Sequence, residues 1–197
     1  MLPRTTTQLL ESLKEPANEG LWTQFDERYR PVLAAFARGQ GLTEDEAAEV
    51  AQLTLAQFAS DYKAGSYNRS RGRLSSWILG IARNRIVDQG RARQKQPGQL
   101  GETALCSLED DKTVTHAWET ARQRVIFERA LEVLRSDTRM DDRTIKAFEL
   151  CAIRSAPAET AAEECGMTVA EVYVAKNRAI KKLREIVAQF TREFDEE

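Results

Sequence analysis

The chain is short of most groups that do chemistry. Its 197 residues include one histidine, His116, and three cysteines, Cys106, Cys151 and Cys165. The cysteines lie far apart and form no CxxC pair, so neither a zinc site, which needs about four spaced ligands, nor a disulfide framework is expected. No metal and no cofactor is expected. No glycine-rich phosphate loop and no paired acids in an apolar setting are present, which argues against an enzyme. No apolar run approaches the roughly 20 residues of a membrane helix. The opening MLPRTTTQLLESLKE lacks the apolar core of a signal peptide, so a cytoplasmic location without membrane attachment is expected. Alternating strand patterns are missing as well, and the ten glycines and five prolines fall mostly between helix-like stretches.

What is present is a helical chain with segregated charge. Hydrophobic residues make up 42% and charged residues 30%, which is too apolar for a disordered protein. The net charge of −2 speaks against nucleic acid, but its distribution reverses that inference. Residues 66–95 hold eight bases (Arg69, Arg71, Arg73, Arg83, Arg85, Arg91, Arg93, Lys95) against Asp88 alone. Residues 168–186 hold five bases against two acids, and residues 41–62 hold five acids and no base. Two basic stretches and one acidic stretch imply two kinds of partner.

Apolar spacing predicts helices over about 6–14 and 19–38, the second with Trp22, Phe25, Tyr29, Leu33 and Phe36 on one face and a kink at Pro31. Thr43 followed by Glu46 is a capping box opening a helix to about Tyr62, with Ala47, Val50, Ala51, Thr54 and Phe58 inward. Residues 63–73 (KAGSYNRSRGR) read as a basic loop. A helix over 74–93 follows, burying Trp77, Ile78, Ile81 and Ile86. Residues 94–115 carry proline, glycine and an acid cluster, and read as a flexible linker. Further helices are expected at about 116–136, 141–154, 157–165 and 168–190, ahead of a frayed acidic tail. The expected fold is all-α: two small helical domains, 1–93 and 116–197, joined by the linker 94–115.

The segment PAETAAEECGMTVAEVYVAKNRAIKKLREIV has the grammar of a helix-turn-helix. Pro157 suits a first turn, Ala162 permits close helix crossing, Gly166 suits a tight turn, and Thr168 with Glu171 forms a second capping box. Val172, Ala175, Ala179, Leu183 and Ile186 share the inward face. Tyr173, Lys176, Asn177, Arg178, Lys181, Lys182 and Arg184 are left to meet DNA.

Together the two halves resemble the sigma factors of the extracytoplasmic-function group of the sigma-70 family, over most of residues 21–93 and 126–187. The motifs that carry the resemblance are EDEAAEVAQLTLAQF; WILGIARNRIVDQGR, with Trp77, Ile81, Ala82, Asn84, Asp88 and Arg91 in register; and the closing RAIKKLR from Arg178 to Arg184. The resemblance implies a transcription initiation factor that carries core RNA polymerase to promoter DNA and helps to melt the minus-ten element. It implies that Glu46, Glu49 and Gln52 dock on the polymerase. It assigns the minus-ten element to Tyr67, Arg69, Arg71, Arg73, Asn84, Arg85, Asp88 and Arg91; Trp77, on the apolar face of its helix, is expected in the core instead. It assigns the minus-thirty-five element to Thr168, Glu171, Tyr173, Val174, Asn177, Arg178 and Lys181. Tyr173 and Val174 stand where lysine and serine are frequent in the family, so the usual promoter sequence does not carry over. An anti-sigma factor or a kinase is a further partner of such proteins, and Thr54, beside the acidic patch, is the candidate phosphoacceptor. The free chain is expected to be a monomer. The competing function is a helix-turn-helix regulator with an N-terminal sensing or dimerising domain, which would have no need of the bases around Trp77 and Asn84.

Overall fold

The computed structural model describes residues 19–94, 110–136 and 140–194. The expected helix at 6–14, Cys106 and most of the expected linker lie outside them. Every regular element among the described residues is helical. The described residues divide into two compact units, Met1–Val125 with Phe194–Glu197, and Ile126–Glu193.

In the first unit α1 spans Glu19–Gly39, α2 Glu44–Lys63 and α3 Leu74–Gln94. Phe25, Tyr29, Val32, Leu33 and Phe36 of α1 are buried, as their three-and-four spacing requires. The helix continues through the exposed Pro31. It ends where Gly41 takes a φ of 86°, a conformation natural to glycine, and Leu42 donates back to the Ala37 carbonyl. The Thr43 hydroxyl accepts from the Glu46 amide while the Glu46 carboxylate accepts from the Thr43 amide, so α2 starts with two of its open donors satisfied. The α2 helix packs on both α1 and α3. Its Phe58 is fully buried and stacks on Phe25 at 4.8 Å. On α3, Leu74, Ile78, Leu79, Ala82 and Ile86 are buried. Trp77 and Ile81, expected inside, are only half-buried.

The helix α4, Asp111–Ser136, starts five residues earlier than expected, inside the stretch read as linker. Asp110 explains the difference: its carboxylate accepts from the Thr113 amide at 2.9 Å and the Thr113 hydroxyl at 2.6 Å, an N-cap hidden in the acid cluster. In the first unit α4 buries Val114 and Trp118, with Trp118 edge-on to Phe36 at 5.8 Å.

The second unit takes Ile126, Ala130 and Leu134 from α4, then α5 (Asp142–Phe148), a π-helical turn (Glu149–Ile153), α6 (Ala158–Cys165) and α7 (Val169–Phe194). Its core is made of small residues: Ala147, Ala161, Ala162, Cys165 and Ala175 with Leu150 and Val172. Gly166 ends α6 with φ 62° and ψ 43°, and the Met167 amide donates to the Ala162 carbonyl. Nothing lies within 4 Å of the place a Cβ would occupy, so glycine serves conformation here, not space.

Candidate nucleic-acid interface

The loop between α2 and α3 turns back on itself. Gly65 and Gly72 have φ of 77° and 148°, and a 3-10 turn, Arg69–Arg71, is capped by Asn68, whose Oδ1 accepts from the Ser70 amide. This path brings the Tyr67 ring onto Trp77, 5.4 Å away and within 18° of parallel. Trp77 is held from behind by Phe58, edge-on at 5.3 Å, and Tyr67 leans on Tyr62 at 5.9 Å. Tyr67, Trp77, Asn68, Arg73 and Ser76 line an open cleft of about 360 Å³. That lies at the small end of ligand clefts, roughly 300–1,000 Å³. A cleft with two aromatic faces, an amide and a guanidinium at its mouth is suited to a flat, polar-edged ring beside a phosphate.

Trp77, expected in the core, is therefore half of the aromatic wall. Periodicity puts it on the apolar face of α3, and only the path of the loop reveals the other role. Asn84 is exposed but does not line the cleft. It lies two turns along α3, about 10 Å at 1.5 Å per residue, on the same face as Trp77, Asp88 and Arg91. Arg91 is exposed and pairs loosely with Asp88 at 3.8 Å. Arg69 and Arg73 are exposed on the loop, and Arg71 belongs to its 3-10 turn.

The eight bases of residues 66–95 do not act as one field. Arg85, read as a DNA contact, is half-buried and donates to Gln57 Oε1 at 3.1 Å. Arg83 pairs with Asp111 at 2.7 Å. Arg93 grips Glu46 through Nε at 2.5 Å and also through Nη2. These three tie α3 to its neighbours, which leaves the cationic surface to the loop and to the α3 face of Arg91.

The acidic helix is divided in the same way. Glu46, read as a docking residue, closes the capping box and takes both arms of Arg93, and the Arg93 guanidinium together with the Thr43 donors holds its carboxyl at about 2. Glu49 and Gln52 are exposed, with Gln89 donating to Glu49 at 2.9 Å. Between them and Ala56 stands Leu53, 41% exposed, a large apolar side chain that an acid-counting argument passes over. Gln52 and Ala56 also border a groove of about 440 Å³ between α1 and α2, shared with Trp22, Asp26 and Lys63.

Thr54 is not on this surface. It is completely buried, and its Oγ1 has no hydrogen-bond partner among the described residues, so a kinase could not reach it without opening α2. An unpaired buried hydroxyl carries a desolvation cost of roughly 1–3 kcal/mol. Thr54→Val should therefore raise stability by about 1 kcal/mol, visible as a higher Tm; a lower Tm would mean that the hydroxyl has a partner in solution.

In the second unit, α6 and α7 are joined by the short turn Gly166, Met167 and Thr168. The Thr168 amide and hydroxyl donate to Glu171 Oε2 at 2.7 and 2.9 Å, which holds that carboxyl below its usual range and fixes it at the helix start. Beyond the cap, α7 exposes Tyr173, Val174, Asn177, Arg178 and Lys181 on one face, while Val172, Ala175, Ala179 and Leu183 are buried on the other.

Among the described residues no helix is long and apolar enough to cross a membrane. No curated protein matches the chain. Residues 25–96, which contain most of α1, all of α2 and α3, and the Tyr67–Trp77 cleft, match the family model of sigma-70 region 2. The match covers 72 of the 197 residues, and over them the chain is similar to the region 2 domain of sigma-70 factors.

Proposed function

We propose that the chain is a sigma factor of the extracytoplasmic-function group that directs core RNA polymerase to its own set of promoters. The first unit docks on the polymerase through the exposed α2 face of Glu49, Gln52 and Leu53. The Tyr67–Trp77 cleft takes a base extruded from the minus-ten element, while Arg69, Arg73 and Arg91 follow the phosphates. The second unit is a helix-turn-helix, with α7 as the recognition helix for the minus-thirty-five element.

The observation that carries this reading is the cleft. An aromatic stack opening into a basic loop suits a single-stranded base. It lies within residues 25–96, the segment matched to sigma-70 region 2.

The test is in vitro transcription with purified core polymerase on a genomic DNA library, mapping start sites with and without the chain. New, chain-dependent start sites are expected; their absence would overturn the proposal. Docking is tested separately with Glu49→Lys and Leu53→Asp, both exposed positions. Each should weaken capture of core polymerase about tenfold, the scale of an interface hot spot, and the charge reversal should matter more at low salt. Wild-type capture by both variants would remove α2 as the docking face.

A further inference from the structure

The start of α7 is unusual for a helix placed against an anion. Its exposed face runs Ala170, Tyr173, Val174, Asn177, Arg178, Lys181. Tyr173 and Val174 are 54% and 59% exposed, more than any other large apolar side chain among the described residues. Val174 also borders an apolar recess of about 280 Å³ with Met167 and Ala170. Two adjacent apolar side chains held in water at a helix start are explained by a partner that covers them.

The hydrogen-bonding groups beside them narrow what that partner is. Guanine is read by arginine or lysine reaching O6 and N7. No base occurs between Val169 and Ala175, and the first on the exposed face, Arg178, follows directly on Asn177 and borders the same recess as Val174. Cytosine is read by a carboxylate accepting from N4, but Glu171 is turned back onto Thr168, whose amide and hydroxyl both donate to its Oε2. Against that one guanidinium stand Asn177, whose amide matches the N6 and N7 edge of adenine, and the apolar pair of Tyr173 and Val174, which matches the thymine methyl. A single A·T pair offers both groups in the major groove.

Resting on the reading of α7 as the recognition helix, we infer that this chain selects A·T pairs in its upstream element, packing thymine methyl groups on Tyr173 and Val174 and holding adenine with Asn177. Lys181 and Arg184 lie further along the helix, where they suit phosphates. The charge pattern favours DNA over a protein as the occupant of the patch. Six bases follow it along the same helix (Lys176, Arg178, Lys181, Lys182, Arg184 and Arg192) against Glu185 and Glu193.

The experiment uses holoenzyme made from core polymerase and the full chain. Upstream elements are selected from duplexes randomised ahead of a mapped start site, and each thymine of the selected element is then replaced by deoxyuridine, which removes only the methyl. Selection of A·T pairs is expected, with about fourfold weaker binding for each methyl lost, the worth of one buried methylene. Val174→Ala should abolish the deoxyuridine penalty at the thymine it covers and keep the penalty at the one on Tyr173; Val174 is exposed, so folding is not at stake. A G·C-rich element, or specific binding indifferent to deoxyuridine, overturns the inference and leaves the proposed function standing. If Val174→Ala weakens capture of core polymerase without changing the selected sequence, the patch is a protein contact and the inference fails. If no upstream sequence is enriched over a random pool, the reading of α7 as a recognition helix fails with it.

Discussion

Holoenzyme carrying Trp77→Ala should open a duplex promoter at least about tenfold more slowly than wild type, yet transcribe normally from a template already mismatched at the minus-ten element. Extruding a base costs a few kcal/mol of stacking and pairing, and an aromatic platform returns about 1–3 kcal/mol of it. At about 1.4 kcal/mol per factor of ten, removing one wall of the cleft costs one to two orders of magnitude. Tyr67→Ala should behave alike, since the two rings form one stack at 5.4 Å. Asn84→Ala should cost less, because its side chain lies two turns from the cleft. Trp77 also rests on Phe58, so Trp77→Phe, which keeps a ring in that place, separates platform from packing: it should retain most of the opening rate. Permanganate footprinting measures the opening directly. Wild-type opening by Trp77→Ala and Tyr67→Ala would remove the cleft from melting, and equal failure on the mismatched template would move the defect to folding or docking.

The Glu46–Arg93 pair should be worth more to folding than any other ion pair of the first unit. Glu46 keeps its negative charge down to about 2, against an ordinary value of 4.5. The sign follows from that depression. Glu46 contributes its full stability above about pH 4.5, and loses it as pH falls from there toward 2. Discounted for solvent screening of a pair about a quarter exposed, Glu46→Gln should lower stability by about 1 kcal/mol near neutral pH, and its difference from wild type should shrink between pH 4.5 and 2. Arg93→Met should reproduce most of this loss. Denaturant midpoints measured across that pH range are the check; a Glu46→Gln deficit that does not change with pH would show that the carboxylate is not held by Arg93. The same pair makes Glu46→Lys a poor test of polymerase docking, since lost capture would report an unfastened α2, and Glu49 and Leu53 are the positions to use instead.

Features whose partners lie within one helical turn were legible in the sequence. Thr43 with Glu46, Thr168 with Glu171, and the left-handed Gly166 are settled by three or four residues of backbone, so their spacing carries the full information. The same holds for the buried faces of α2 and α7, where helical periodicity alone sorts Val50, Phe58, Val172 and Leu183 inward. The Asp110–Thr113 cap was equally local, but it sits in an acid cluster whose composition reads as linker. Periodicity sorts residues by face and does not set how one helix is turned or slid against another, and there the sequence runs out. Register between helices decided that Arg93 meets Glu46 across 47 positions, that Arg85 is spent on Gln57, and that Leu53 stays outside while Thr54 is sealed in. Loop closure at Gly65 and Gly72 decided that Tyr67 lies on Trp77, turning a residue of the apolar face into one wall of the candidate site. The amino-acid sequence by itself determined an all-helical chain with an acidic helix, a basic loop and a capped two-helix turn, because each follows from short-range backbone and solvent preferences. Only the tertiary structure decided which charges neutralise one another and which remain on the surface, because that depends on distances between segments far apart in the chain.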